Sequence, residues 1–270
     1  MRYGMIAGNG RFPLLALEAA RELGFEIVVI AIKEEAPAEI GQFASVCHWI
    51  SLGQLGRLIE ILKEAGITQV MMCGQVKHVR IFSAIRPDWR LLKLLTSLEA
   101  KNTDALIGGV IRILADEGIQ LVDSTLLLKN LLAGEGSIGQ RKPDESERKD
   151  IDYGRRVANA LAGFDIGQSV AVADRACVAV EAMEGTDAML RRAASLVEGK
   201  PLRLIKVSRR RKHMLFDVPV AGPSTIDVMR ETGATALAVD AGRTLFLDRE
   251  DMLERANSAG IAVIGYAPAE

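Results

Sequence analysis

Tyr3-Gly4-Met5-Ile6-Ala7-Gly8-Asn9-Gly10-Arg11-Phe12-Pro13 places an apolar run, a glycine turn and a proline at the head of the chain. Residues 3–7 read as a short buried strand and residues 14–23 as an amphipathic helix, so the stretch opens a βαβ unit. Gly8 and Gly10 permit a tight turn, and Pro13 suits a first helical turn. The unpaired amides of a helix start attract phosphate. The spacing is Gly-x-Gly-x-x-Pro, with a proline where the dinucleotide fingerprint has its third glycine. The turn therefore points to a nucleotide phosphate without specifying NAD.

Outward from this turn, strands and helices alternate. Residues 26–32 form a second strand, followed by Glu34 and Glu35 at the place of a ribose-binding acid or of a solvated loop leading to Pro37. Residues 45–50 are a third strand, 54–65 a helix, and 69–73 a fourth strand ending in Gly74-Gln75-Val76-Lys77. Such alternation predicts a parallel sheet flanked by helices. Ligands bind beyond the carboxyl ends of such strands, where Gly8, Asn9, Gly10, Gly74, Gln75 and Lys77 can line one crevice. Residues 81–100 are helix-like, interrupted by Pro87 and carrying Trp89, Leu91, Leu92, Leu94 and Leu95. They read as core or as a surface for an acyl chain. A helix over 105–117, a strand over 120–123 and a short helix from Ser124 complete this half.

Residues 133–150 are the most polar stretch and read as a linker between domains at 1–132 and 151–270. Beyond it, Arg155-Arg156 lies on a helix over 152–161 and reads as a solvated face. Asp165-Ile166-Gly167-Gln168 leads into strands at 169–173 and 177–180. Glu184-Gly185-Thr186-Asp187 then turns into a helix over 188–197. Gly185 allows close approach of a ligand or a positive φ, and Thr186 is a candidate cap. Two readings stand here: a capped helix, or a phosphate site whose carboxylates Glu184 and Asp187 hold a hard cation such as Mg²⁺.

A strand at 203–208 runs into the basic stretch Arg209-Arg210-Arg211-Lys212, an exposed loop or a partner for a diphosphate or an anionic membrane. Met214-Leu215-Phe216-Asp217-Val218-Pro219 reads as an apolar strand carrying one acid, which if buried needs a cation or donors. Gly222-Pro223-Ser224-Thr225 opens a helix over 226–232, and the ending alternates strand, strand, helix, strand. The expected class is α/β: an N-terminal Rossmann-like parallel sheet flanked by helices, plus a second α/β domain with a mixed sheet.

The length of 270 residues accommodates two domains, and a net charge of −1 with 4% aromatic residues argues against a nucleic-acid binder. Cys47, Cys73 and Cys177 are widely spaced, which fits reduced thiols. Neither a leader pattern nor a run of ~18 apolar residues is present, so a soluble cytosolic protein is expected, with peripheral contact at a membrane left open.

The chain resembles the LpxI family, the UDP-2,3-diacylglucosamine pyrophosphatases of lipid A biosynthesis. The resemblance rests on the turn from Gly4 to Pro13, on Asp165-Ile166-Gly167-Gln168, on Glu181-Ala182-Met183-Glu184-Gly185-Thr186-Asp187, and on Phe216-Asp217-Val218-Pro219-Val220-Ala221-Gly222-Pro223-Ser224-Thr225. It implies a cytosolic hydrolase, dependent on Mg²⁺, that splits the diphosphate of UDP-2,3-diacylglucosamine into UMP and 2,3-diacylglucosamine 1-phosphate (lipid X). It also implies a homodimer, attack at the sugar-proximal phosphorus, and Asp217 as the essential metal-binding or catalytic carboxylate. Asp187 and Glu184 join Asp217 as candidate catalytic and metal residues. Gly8, Asn9, Gly10, Gly74, Gln75, Lys77, Gln168, Gly185, Thr186, Lys206, Gly222 and Thr225 are the candidate substrate-binding residues. Where the family tends to carry a Gln-Asp pair, this chain has Lys212-His213. The competing readings are an NAD-dependent oxidoreductase, drawn from the first turn, and a non-catalytic nucleotide-sugar sensor.

Overall fold

The computed structural model describes residues 1–76, 86–98, 103–164, 166–209 and 214–269, and these form two compact units. Residues 1–128 and 213–217 make the first; residues 129–212 and 218–270 make the second.

In the first unit, β1 (Arg2–Ala7), β2 (Glu26–Ile32), β3 (Val46–Ile50), β4 (Gln69–Cys73) and β5 (Gln120–Leu121) form one sheet in the order β3-β2-β1-β4-β5. Every neighbouring pair is parallel. This is the Rossmann-type order expected from the alternation, with the direction of strand succession reversing at β1. Both faces of β2 are buried, which explains its unbroken run Ile27-Val28-Val29-Ile30-Ala31-Ile32. The helices are α1 (Phe12–Glu22), α2 (Ile40–Phe43), α3 (Leu55–Glu64), α4 (Trp89–Ser97) and α5 (Thr103–Asp116). Leu58, Ile59 and Leu62 of α3 and Leu91 and Leu94 of α4 join β2 and β4 in one core. Asp88 caps α4 by accepting from Leu91 N at 2.9 Å, so the helix starts after Pro87. Trp89 and Leu92 stay exposed.

The second unit contains β6 (Gly136–Ser137), α6 (Glu145–Gly163), β7 (Ser169–Ala173), β8 (Ala176–Val180), α7 (Thr186–Leu196), β9 (Leu202–Lys206), β10 (Val220–Ala221), α8 (Pro223–Glu231), β11 (Ala234–Asp240), β12 (Leu245–Phe246), α9 (Arg249–Ser258) and β13 (Ala262–Tyr266). Its main sheet runs β6-β13-β11-β9-β7-β8. The strands β9, β11 and β13 are parallel, and β6, β7 and β8 pair antiparallel, giving the expected mixed sheet. One face packs against α7, α8 and α9, through Met189, Leu190, Met229 and Met252. The other packs against α6. There Gly154 fits closely: a Cβ on it would lie 2.7 Å from Ile205 Cδ1.

The polar stretch 133–150 holds β6 and the first turns of α6. Its charges are used internally. Asp144 Oδ1 accepts from Glu147 N at 2.8 Å while Glu147 Oε2 accepts from Asp144 N at 2.9 Å, a reciprocal capping box. Glu147 is buried, and Arg141 grips both its oxygens at 2.8 and 2.7 Å. Arg155, read as solvated, is tied down: its guanidinium stacks over Tyr266 at 4.6 Å and lies 3.7 Å from the buried carboxylate of Asp240. Among the described residues no helix is long and apolar enough to cross a membrane.

Candidate functional site

β1 and β4 are parallel neighbours in register from Gly4↔Val70 to Ala7↔Cys73, so the turns at their carboxyl ends lie side by side. Gly8 N donates to Cys73 O at 2.8 Å. Asn9 and Gln75 exchange two backbone hydrogen bonds, Asn9 N to Gln75 O at 2.7 Å and Gln75 N to Asn9 O at 3.0 Å. A Cβ on Gly8 would meet Gln75 O at 2.5 Å, so this approach requires glycine. Gly10 has φ +96 and open space beside it. Immediately after it α1 begins, with no side-chain cap on its first amides. The structure thus brings Gly8, Asn9, Gly10, Gly74 and Gln75 together at one sheet edge; Lys77 lies outside the described residues.

Residues 214–217 also belong to this unit. Leu215 and Phe216 form a bend, and none of the four lies in the strand expected from their apolar pattern. Their backbone is bound by a loop in place of a sheet neighbour: Ser124 N donates to Met214 O at 2.9 Å and Ser124 Oγ to Leu215 O at 2.7 Å. Ser124 is wholly buried, and beside it Asp123 Oδ1 accepts from Thr125 N at 2.8 Å and Thr125 Oγ1 at 2.6 Å. Asp217 follows with φ 55, a left-handed conformation, and it is exposed. An acid held in such a backbone state is the kind of strain that concentrates at functional sites.

The second unit gathers its candidates where β7 begins and β9 ends. Gly167 faces the turn after β8 so closely that a Cβ on it would sit 1.9 Å from Glu181 O. Val207 N donates to Gln168 O at 2.9 Å, and Ser169 is directly opposite Lys206. Lys206 Nζ donates to Thr186 Oγ1 at 2.8 Å and to Ser169 Oγ at 3.2 Å, and Thr186 Oγ1 donates to Glu181 Oε1 at 2.8 Å. Lys206, Thr186, Gln168 and Gly185 are therefore neighbours. Gly185 is the N-cap of α7 at φ +84. Glu184 closes the turn: one oxygen accepts from Ala182 N at 3.0 Å, the other from Arg192. Its own backbone amide and the Arg192 guanidinium hold this carboxyl below the usual range. Asp187 is exposed in the first turn of α7, beside a groove shared with Arg191, Ser224 and Glu231. At the start of α8, Gly222 N donates to Thr225 Oγ1 at 3.2 Å.

Among the described residues no group of three or more His, Cys, Asp and Glu is placed to hold a metal ion. Asp217 lies in the first unit, Glu184 and Asp187 in the second. Of the three, Asp217 and Asp187 present exposed hard oxygens, whereas both oxygens of Glu184 are engaged. Asp217 and Asp187 are each the hard oxygen donor that Mg²⁺ accepts beside phosphate and water, and they belong to different units.

Comparison with known proteins decides the family. The description "LpxI N-terminal domain" matches residues 2–131, and "LpxI C-terminal domain" matches residues 134–264. The chain belongs to the LpxI family. The curated protein named UDP-2,3-diacylglucosamine pyrophosphatase LpxI from Caulobacter vibrioides is 31% identical over 279 residues, spanning 100% of this chain and 99% of the relative. Solved structures are far less similar. An N5-carboxyaminoimidazole ribonucleotide synthetase in its ADP complex has 16% identity and a TM-score of 0.29, covering 63% of this chain and 31% of that one. The same synthetase from Thermotoga maritima has 14% identity and a TM-score of 0.28, covering 67% and 40%. Scores this low carry no functional meaning.

In this LpxI-family chain the sequence reading passed over Ser124, Ser169 and Glu181. Serines carry no sequence signal, but Glu181 lies in the quoted stretch Glu181-Ala182-Met183-Glu184, four residues before the Gly185 corner. It also passed over Ser208 and Asp240. Asp240 Oδ2 accepts from Ser208 N at 2.8 Å and Ser208 Oγ at 3.0 Å, fixing the point where the chain leaves the end of β9.

Proposed function

We propose that this LpxI-family chain hydrolyses the diphosphate of UDP-2,3-diacylglucosamine, giving UMP and 2,3-diacylglucosamine 1-phosphate. The carrying observation is the end-to-end relationship with the Caulobacter vibrioides protein of that name, 31% identical over all of this chain. Family membership on both halves supports it.

A diphosphate repels an incoming oxygen until its charge is met by cations and hydrogen-bond donors. Mg²⁺, held by Asp217 together with phosphate oxygens and water, supplies charge neutralisation when bound. Asp217 is the essential carboxylate in this reading, on the strength of its exposure and its left-handed backbone. Its carboxylate orients the attacking water, and the bent segment fixed by Ser124 sets where it stands. The uncapped amides after Gly10, in the same unit as Asp217, donate to phosphate oxygens. Exposed Trp89 and Leu92 on α4 contact an acyl chain. The diacyl substrate is met at the cytoplasmic face of the inner membrane.

Release of UMP from UDP-2,3-diacylglucosamine, followed with and without excess chelator in the native chain and in Asp217→Ala, tests this reading. Expected are Mg²⁺-dependent release and a loss of at least about 100-fold in the variant. Absence of release from the native chain with Mg²⁺ present rules the reading out. Undiminished release from Asp217→Ala removes the role given to that residue.

A further inference from the structure

We infer that Asp240 is a positioning residue for Asp217, holding from the second unit the segment on which that carboxylate stands. Its bearing on turnover rests on the function proposed above; its hold on the segment does not.

Asp240 ends β11 and is only 1% exposed. A carboxylate withdrawn this far from water is costly unless donors or a cation meet it. Its two oxygens are met unequally. Oδ2 accepts from Ser208 N at 2.8 Å and Ser208 Oγ at 3.0 Å, whereas Oδ1 accepts no hydrogen bond among the described residues and has Arg155 Nη2 3.7 Å away. The hydrogen bonds of this buried acid thus go to one residue. Ser208 is itself buried, and beyond it the chain passes to the first unit at His213. Strand β9 is already paired on both sides, with β7 and with β11, so its register does not depend on Asp240. What the two bonds fix is the residue after the strand, from which the chain departs.

The return is held from the same turn. Leu245 N donates to Pro219 O at 2.9 Å, and Val220 pairs with Leu245. Asp240 ends β11 and Leu245 begins β12, so the turn between these strands grips the chain on both sides of Asp217, at Ser208 before it and at Pro219 after it. The turn is itself tied down: Ala241 N donates to Tyr266 O, Gly242 N to Ala133 O and Ala133 N to Thr244 O, each at 2.8 Å. In the first unit Ser124 holds Met214 and Leu215. A non-glycine residue keeps a left-handed backbone only where its surroundings over-determine it. Ties at departure, middle and return supply that constraint for Asp217 at φ 55.

UMP release and amide hydrogen exchange of the full-length chain, native against Asp240→Leu and Asp240→Asn, test this role. Leucine has similar bulk and no acceptor; asparagine keeps one acceptor oxygen, which is all that Ser208 uses. The amide of Ser124 is the reporter, because it is bonded to Met214 O and belongs to the other unit, where a change confined to β11 has no effect. Expected in Asp240→Leu are a kcat lower by about 10- to 100-fold at an unchanged KM and exchange at Ser124 about 10-fold faster, with Asp240→Asn within about 3-fold of native in both. A folded Asp240→Leu with native kcat overturns the inference. So does a lowered kcat with native exchange at Ser124, or an Asp240→Asn as impaired as Asp240→Leu. Should Asp240→Leu fail to fold, Ser208→Ala against Ser208→Thr decides: lower kcat and faster Ser124 exchange only in Ser208→Ala support the role, and equal values in the two overturn it. Faster exchange at Ser124 in Asp240→Leu, in a chain whose native form releases no UMP, upholds the hold on the segment and defeats the proposed reaction. UMP release that collapses in Asp217→Ala but is indifferent to Asp240→Leu does the reverse.

Discussion

Gly74 faces the backbone of Asn9 across the two parallel strand ends: a Cβ on Gly74 would lie 2.5 Å from Asn9 O and 3.0 Å from Pro13 Cγ. Gly74 also has φ +90, so alanine there meets both a steric and a conformational penalty. Gly74→Ala should destabilise the chain by more than about 2 kcal/mol in urea unfolding. Gly41→Ala, with open space in the short helix α2, should be neutral or stabilising by up to about 1 kcal/mol. Equal effects in the two variants would show that the glycine turn tolerates a side chain.

The left-handed backbone of Asp217 makes stability and activity separable. Glycine adopts φ 55 without strain, so Asp217→Gly should leave stability unchanged or raise it by about 0.5–1 kcal/mol while abolishing turnover. Denaturant melts beside UMP-release assays measure both. A variant that loses stability together with activity would mark Asp217 as a structural residue.

Acid should loosen the first unit through Glu117. The Arg90 and Lys63 hydrogen bonds lower its carboxyl from 4.5 to about 2. A carboxyl whose folded-state value is depressed contributes stability that is present above its unfolded value and lost as pH falls towards the folded one. The contribution therefore disappears between pH 4.5 and about 2. Glu117→Gln should show a shallower decline in stability across that window than the native chain, read from melts at stepped pH. Parallel declines would mean the pair contributes nothing, as is common for ion pairs near solvent.

Removing Glu147 has a different consequence, because this carboxylate is buried and the half-buried groups bonded to it lose their acceptor. Arg141 grips both its oxygens and Thr235 Oγ1 donates to Oε1 at 2.6 Å. Glu147→Ala also deletes half of the capping box that starts α6. A loss of about 3 kcal/mol is expected, and a chemical melt of the second unit that shifts by less than about 1 kcal/mol would contradict it.

The strands and helices of the first unit were legible because period and punctuation agree there. Apolar runs of strand length end in glycine turns, and each turn opens an amphipathic segment, as at Ala7-Gly8-Asn9-Gly10. Met214 to Pro219 was not legible in the same way. Its apolar alternation looks like a strand, but hydrogen bonding to Ser124, 91 residues from Leu215, replaces a sheet partner. Asp144-x-x-Glu147 is a visible helix-start signature, yet it sits within residues whose polar composition reads as a linker. The binding candidates fared unevenly for a similar reason. Glycines announce close backbone approach from sequence alone, whereas the partners of Lys206 come from β7 and the start of α7, which only the tertiary fold brings together.

The assignment of residues 213–217 to the first unit, with second-unit sequence on either side of them, means that the polypeptide passes between the units three times. A cut after Leu128 therefore does not yield two self-sufficient halves. The amino-terminal fragment would keep Ser124 but lack the segment it binds, and the remaining fragment would carry Asp217 on a bend deprived of its anchor. Domain swaps between relatives that join at this boundary would pair an anchor from one parent with a carboxylate from the other. In a gene of this architecture Ser124 and Leu215 are inherited usefully only as a pair, which makes the intact chain, and neither of its halves, the smallest unit on which selection for this site can act.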